Sequence, residues 1–427
     1  MSEPVRRSLG RGVHLTAVTT PKFNASCVSV NFILPLDAAN APGYAMLVHL
    51  LRRGCESYPD MKRLAAALDE LYGARIEPYV RRRGGAQCVG FVCDVLDDRF
   101  AAGGESLLRG LTALLGALIC APVREGGAFR ADWFEGERKN IIDRIGAQMN
   151  DKRLYAAKRA REIMFAGDAA GLSEFGTRES AEKLTNEGVY ALYRRMLETA
   201  PVELFYCGPR SADEAGETLS HIFDGAARGK IRPVPVKMLQ KPARAPEYVT
   251  ETLDVTQGKL ALGLVCGMSA KDADWPALVV ANTIFGGSTA SKLFLKVREE
   301  MSLCYYASSA LDKLTGTMAV NSGIEIASFA TAKDEILRQL EDVKGGRFTD
   351  SEFNTAVKTV RANLLTAADA PLRMEEYYLT QAVGELPGSL ESFAARVGRV
   401  TREETAAAAR RVSLDTVYFL TGKEGAK

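Results

Sequence analysis

Side chains that could bind a catalytic metal are few in this chain of 427 residues. It has three histidines, His14, His49 and His221, and no two of them have the spacing that places two imidazoles on one helical face. A Zn²⁺ site built on His49 would need Glu137 or Asp143 to approach it from a distant part of the sequence. The chain therefore offers one imidazole nitrogen where zinc-dependent hydrolysis uses two and a general base.

The eight cysteines do not suggest a second metal site. The sequence has no Cys-x-x-Cys pair, and most cysteines lie in apolar runs typical of strands, as Cys88 and Cys93 do. We expect buried, reduced thiols rather than disulfides or a thiolate metal site.

Charge and composition exclude several classes of function. The net charge is +2, which does not indicate a nucleic-acid surface or a polybasic membrane anchor. The basic run 81–83 precedes two glycines and predicts a solvated hairpin tip, with a phosphate-binding patch as the alternative. Residues 1–15 lack the apolar region of a secretory signal, and the longest apolar stretch, 111–123, is shorter than the roughly 20 residues that span a bilayer. We predict a cytoplasmic protein with no nucleic-acid or membrane partner.

The elements that position these side chains occur twice along the chain. Four segments of the first half recur in the same order in the second, and each copy alternates strand-like and helix-like patterns. The third segment of each half predicts one long helix. The first pair matches 28–34 and 44–51 with 259–265 and 278–284, and the second matches 88–95 and 107–111 with 318–326 and 335–340. The third matches 129–164 with 348–386. The fourth matches 185–196 and 202–208 with 401–412 and 417–422.

This duplication predicts an α+β protein made of two homologous domains. The first covers residues 1–228 and the second residues 249–427. Between them, residues 229–248 are rich in proline, which disfavours helix and sheet alike, and predict an extended linker.

The order of elements resembles the M16 peptidases (the insulinase and mitochondrial-processing-peptidase family, subfamily M16B) along essentially the whole chain. In that family the first helix carries His-x-x-Glu-His, whose two imidazoles bind Zn²⁺ while the glutamate acts as general base. Aligned on Gly54, these positions are Ala45, Val48 and His49; aligned on Gly43, they are Met46, His49 and Leu50. On the later helix Glu137 matches a recurrent family glutamate, and the expected distal ligand position falls near Arg144. The resemblance therefore implies a member without the zinc motif.

A second family motif is retained in the other half. The glycine pair 286–287, the segment 291–294 and the run from Val297 to Tyr305 are similar to the family patterns Ser-[Arg/Lys]-Leu-Phe and Val-Arg-Glu-x-x-x-Leu-x-Tyr. In active relatives this arginine and tyrosine hold substrate across from the zinc, which implies that role for Arg298 and Tyr305. The alternative is structural: Arg298 would cap a helix and Tyr305 would pack in a strand.

The resemblance implies two domains of the LuxS/MPP-like metallohydrolase fold, each a mainly antiparallel sheet covered by helices. It also implies a non-catalytic subunit paired with a zinc-bearing M16 chain, with no cofactor of its own. The partner would be this M16 chain or, as an alternative, a second copy in a homodimer. The substrate would be a peptide or unfolded protein that adds a strand to a sheet edge. Two other functions stay open: an active zinc endopeptidase with unusual ligands, and a purely structural or peptide-binding scaffold.

Overall fold

The computed structural model describes residues 3–239 and 245–423, which form two compact units. Unit 1 comprises the residues up to Gly146, Leu172–Pro235 and Pro371–Glu385. Unit 2 comprises Ala147–Gly171, Val236–Ala370 and the residues from Leu386 onward.

The helices and strands follow the predicted duplication closely. In the first half of the chain they are β1 (Val5–Gly10), β2 (Val13–Thr19), β3 (Ala25–Pro35), α1 (Ala41–Arg52), α2 (Met61–Glu70), β4 (Arg75–Arg83), β5 (Ala86–Leu96), α3 (Leu107–Cys120), β6 (Arg124–Glu125), β7 (Ala128–Phe129), α4 (Ala131–Ala147), α5 (Lys152–Met164), α6 (Arg178–Glu182), α7 (Asn186–Thr199), β8 (Val202–Gly208) and α8 (Ala212–Ser220). In the second half they are β9 (Glu247–Thr252), β10 (Gly258–Val265), α9 (Trp275–Phe285), β11 (Cys304–Asp312), β12 (Thr317–Ile324), α10 (Phe329–Lys344), α11 (Asp350–Ala367), α12 (Pro371–Gly384), α13 (Leu390–Val397), α14 (Arg402–Arg410) and β13 (Ser413–Thr421). A π-helical segment, Leu293–Glu300, precedes β11, and short 3-10 turns lie at Asp98–Phe100, Ala169–Gly171, His221–Phe223 and Ile326–Ser328.

The sheet of unit 1 has the order β1-β2-β8-β3-β5-β4, and only the pair β2–β8 is parallel. Side chains alternate between its two faces. Val28, Val30 and Phe32 of β3 are fully buried in an apolar core shared with α1 and α3. Ser29 and Asn31 therefore point to the opposite face, which is also buried.

The sheet of unit 2 has the order β9-β13-β10-β12-β11, and only β9–β13 is parallel. Read in this direction it repeats β2-β8-β3-β5-β4 strand for strand, so that within the described six-stranded sheet of unit 1 only β1 has no counterpart. The prediction of an α+β fold with two homologous, mainly antiparallel domains covered by helices is confirmed.

The two predicted long helices, 129–164 and 348–386, are wrong because each is broken in two. After α4, the Asp151 side chain accepts the backbone N–H groups of Arg153 and Leu154 and so begins α5 as its N-cap. After α11, Pro371 begins α12, where its missing N–H costs no hydrogen bond and its ring disfavours helical geometry in the residue before it.

The compact units differ from the two sequence halves at the two helices that follow these breaks. Helix α5 belongs to unit 2 and α12 belongs to unit 1. Within the predicted linker 229–248, residues 229–239 form no helix or strand, 240–244 lie outside the described residues, and β9 already begins at Glu247.

A buried ion pair fixes α12 to the second face of the unit 1 sheet. Glu375 of α12 is fully buried and accepts hydrogen bonds from both terminal nitrogens of Arg81, at 2.5 and 3.2 Å, and from the Asn31 amide at 3.0 Å. The β4–β5 hairpin at Gly84 was predicted correctly, but the expectation that its basic run is solvated is wrong for Arg81, which is only 7% exposed.

A second carboxylate, which is partly buried, holds α5 on the unit 2 sheet. Glu251 of β9 accepts hydrogen bonds from the hydroxyls of Tyr155 at 2.7 Å and Tyr418 at 2.8 Å, and Arg159 lies 3.5 Å away. Burial would raise the pKa of Glu251, but these donors outweigh it and the pKa is lowered. The side chains in the Asp151–Arg159 stretch thus cap and anchor α5.

The remaining sequence expectations concern the cysteines and membrane insertion. The eight cysteines form no disulfide, and all except Cys120 are buried. Burial raises the pKa of Cys88 to about 12, as for an unreactive thiol. Within the described residues, no helix is both long and apolar enough to cross a lipid bilayer.

The Arg81–Glu375 pair gives a stability prediction. Glu375→Gln should lower the free energy of unfolding in urea by about 3 kcal/mol, because it leaves a buried guanidinium without its counter-charge. The neighbouring Glu376→Gln, at a side chain that is 52% exposed, should cost less than about 0.5 kcal/mol. Equal losses from the two variants would contradict this account. Replacing both charges, in Arg81→Met/Glu375→Leu, should recover most of the lost stability.

Candidate functional site

Helix α1 carries the positions that match the M16 zinc motif in the sequence, and it runs through the core of unit 1. Ten of its twelve residues are buried, and a proline at its start favours helix initiation. Ala45 and Val48 are fully buried and apolar. Only His49 and Arg52 bring polar side chains from this helix to partly exposed positions.

Helix α4 places an arginine against the single imidazole of α1. The Arg144 guanidinium lies 3.3 Å from Nε2 of His49, and it also lies over the Phe175 ring at 5.2 Å. Since a guanidinium can only donate hydrogen bonds, Nε2 is the accepting nitrogen and the ring is neutral. Burial lowers the pKa of His49, and the charge of Arg144 lowers it further, partly opposed by Glu137.

Glu137, the buried acidic residue of α4, already accepts hydrogen bonds from other side chains. Glu137 is buried and accepts a hydrogen bond from Nε of Arg53 at 2.7 Å and another from the Asn140 amide at 3.1 Å. The structure places Arg144 in contact with His49, and the charge of Glu137 is near enough to act on the imidazole. Asp143, the other candidate carboxylate, is exposed.

The motif of the second half forms a surface with an irregular backbone in unit 2. A Cβ on Gly286 would lie 2.9 Å from the backbone nitrogen of Ser309, so this glycine allows the end of α9 to approach β11. The π-helical segment follows, with Leu293 and Val297 buried. A π-helix is rare and is frequently found at functional sites.

Arg298 and Tyr305 are both accessible to solvent on this surface. Arg298 lies in the last turn of the π-helical segment, over the Phe294 ring at 4.6 Å, and its side chain is 40% exposed. The register of β11 against β12 shifts between Cys304 and Tyr306, so Tyr305 is the extra residue of a β-bulge and is 62% exposed. Tyr305 thus does not pack in the strand as the structural alternative required.

Comparison with known proteins agrees with this architecture. Residues 183–360 match the family described as "Peptidase M16 inactive domain". The chain is 29% identical over 415 residues to the "Probable inactive metalloprotease YmfF" of Bacillus subtilis, covering 97% of each chain. The chain thus resembles the M16 peptidases, as its sequence motifs predicted.

The similarity to solved structures extends over essentially the whole length of this chain. A conserved protein from Enterococcus faecalis superposes with a TM-score of 0.90 at 26% identity, with 100% of each chain covered. A peptidase M16 inactive domain from Pseudomonas fluorescens superposes with a TM-score of 0.78 at 16% identity and 99% coverage of each chain, which supports the fold alone.

The residues at the M16 zinc position do not fit a zinc ion. Its ligands there would be two imidazoles and a carboxylate. Here the one imidazole has its lone pair directed at the Arg144 cation, and Glu137 is held by Arg53. Over residues 3–239 and 245–423, no three His, Cys, Asp or Glu side chains are grouped so that they could hold a metal ion. A permanent cation in place of the distal ligand would also repel a divalent ion.

The structural contacts of Arg52 and Arg53, which follow His49 at the end of α1, were not predicted from the sequence. Arg53 neutralises Glu137, and Arg52 donates from Nε to the Ile76 carbonyl at 2.6 Å. Basic residues are common at helix C-termini, where they favour the helix dipole, so their presence alone was not a signal. Pro78 was the available signal for the Arg52 contact, because a proline in the middle of β4 indicates an edge strand whose outward backbone groups need other partners.

The contact between Arg144 and His49 predicts a measurable pH effect. Arg144→Gln should raise the pKa of His49, since it removes a nearby positive charge, while burial still keeps the pKa below its ordinary value. Nuclear magnetic resonance titration of the imidazole protons is practical with three histidines, and His49→Gln assigns the signal. Arg138→Gln, on the same helix but paired with Glu135, should leave the pKa unchanged. A fall in the His49 pKa on replacing Arg144 would refute the contact.

Proposed function

We propose that this chain is the non-catalytic subunit of an M16 zinc peptidase pair. A zinc-bearing M16 chain would supply the metal and the general base. This chain would supply Arg298 and Tyr305 in trans, to hold a peptide or unfolded segment near the scissile bond. The observation that carries the proposal is a contrast: Arg144 occupies the lone pair of His49, whereas Arg298 and Tyr305 remain accessible.

The chemistry of the two retained side chains suits this role. A guanidinium and a phenol are both donors, and donors directed at a carbonyl oxygen stabilise the negative charge that develops during peptide hydrolysis. Neither group can activate water as a zinc ion does, so the chain requires a metal-bearing partner for hydrolysis. The name of the Bacillus subtilis relative, "Probable inactive metalloprotease YmfF", supports the non-catalytic part of this proposal.

The first experiment is purification of the complex from the native cell, followed by zinc analysis of the complex and of this chain alone. Zinc in the complex and none in this chain would support the pair. One tight zinc ion in this chain, with hydrolysis that depends on His49, would establish the active-peptidase alternative. A complex without any zinc-bearing M16 chain would favour the scaffold alternative.

Arg298→Ala should lower peptide turnover by the mixed pair by at least about tenfold, because it removes a charged donor needed in the transition state. Tyr305→Phe, which removes only a hydroxyl, should have a smaller effect in the same direction. Lys296→Ala provides the control, since Lys296 lies on the same segment, is half exposed and is paired with Glu300. Size-exclusion chromatography should show that all three variants keep the pair intact. Unchanged turnover with Arg298→Ala would rule out the role in trans.

A further inference from the structure

Strand β4 forms one edge of the unit 1 sheet. Among the described residues its only strand neighbour is β5, so one side of its backbone faces away from the sheet. Such an edge is the usual place for an extended peptide to add as a further strand.

Pro78 identifies which residues of β4 direct their backbone groups outward. Pro78 lies opposite Phe91 in the antiparallel pair, and without an N–H it cannot take part in a mutually hydrogen-bonded pair. The alternation along an antiparallel strand then assigns the outward-facing groups to every second residue, including Ile76, Pro78 and Val80.

Arg52 supports this assignment independently and occupies one of these groups. From the last turn of α1, its Nε donates to the Ile76 carbonyl at 2.6 Å, which is possible because this carbonyl points away from β5. Two successive outward positions are thus altered: the acceptor of Ile76 is occupied, and Pro78 has no donor. A parallel incoming strand would need both groups for one of its residues, and an antiparallel strand would need them for two residues that lie two positions apart.

The equivalent edge of unit 2 is also engaged. Strand β11 occupies the place in its sheet that β4 occupies in unit 1. At the middle of β11, the Ser309 N–H donates to the Gly286 carbonyl at 2.9 Å rather than to β12. In each repeat, one backbone group of this edge strand is therefore bonded by a group at the C-terminal end of the first helix of the repeat, α1 or α9.

We propose that Arg52 and Pro78 close the β4 edge to strand addition, so that an extended peptide does not pair with this chain there. Arg52 occupies the carbonyl of Ile76 as an acceptor, and Pro78 removes a backbone N–H donor, so these two residues decide what can pair with the edge. The inference concerns this chain by itself and does not depend on a proteolytic partner. In a mixed pair, the backbone pairing of the peptide would come from the partner chain.

Opening the edge provides the test. The probe is a fluorescent, capped peptide of alternating threonine and valine, and the variant is Arg52→Met/Pro78→Val, which frees the carbonyl and restores the N–H. Restoring two backbone hydrogen bonds should tighten binding by at least about tenfold over wild type. Amide hydrogen exchange in segment 76–82 should slow on peptide addition in the variant and stay unchanged in wild type.

Arg75→Met is the matched control, because Arg75 is exposed on the same strand but lies in the row that bonds β5. It removes the same charge and should bind no more peptide than wild type. Slowed exchange at 76–82 in the wild type with peptide would overturn the proposal. So would a folded double variant, checked by circular dichroism, that binds no more tightly than wild type. Neither result bears on the proteolytic pair, which the Arg298 variant tests separately.

Discussion

The buried Glu375 carboxylate is the contact on which the arrangement of unit 1 depends. Its partners, Arg81 and Asn31, lie on β4 and β3, on the sheet face opposite the apolar core. Burying two charges is costly unless each satisfies the other, so this pair contributes more to position than to net stability. It selects α12, rather than any other amphipathic helix, to cover this face. Glu251 of β9 serves the same purpose in unit 2, where it accepts hydrogen bonds from Tyr155 of α5 and from Tyr418 of β13.

These carboxylates explain why the compact units and the sequence repeats do not coincide. A sheet with a polar second face needs a covering helix with a matching polar group. The two covering helices, α5 and α12, each follow a break in a longer helical region. A local residue marks each break: an aspartate N-cap before α5 and a proline at the start of α12. The chain consequently passes between the units at five points along its length.

The sequence was sufficient for the repeat, the β4–β5 hairpin and the loss of the zinc motif, because these depend on local patterns. Alternation of apolar residues in β3 and the apolar character of α1 are visible without a structure. The helix exchange was not predictable in this way, since Arg81 and Glu375 are 294 residues apart and nothing local connects them. The interpretation of the basic run at 81–83 failed for this reason. A charged side chain is assigned to solvent by default, and only its distant partner makes burial possible.

The two halves also differ in how their backbones hold the motif residues. In unit 1, His49 lies on a regular α-helix whose other residues are almost all buried, and two arginines with structural contacts follow it closely. In unit 2, a π-helix, a bulge at Tyr305 and Ser302 with φ of 52° occur within a short stretch of chain. A non-glycine residue in left-handed geometry costs about 1–2 kcal/mol, so such a stretch persists where the surrounding packing imposes it. Buried Leu293 and Val297 provide that packing, and the result presents Arg298 and Tyr305 to solvent. The local energetics thus accord with the proposal that the accessible surface of unit 2, rather than α1 of unit 1, contacts the substrate.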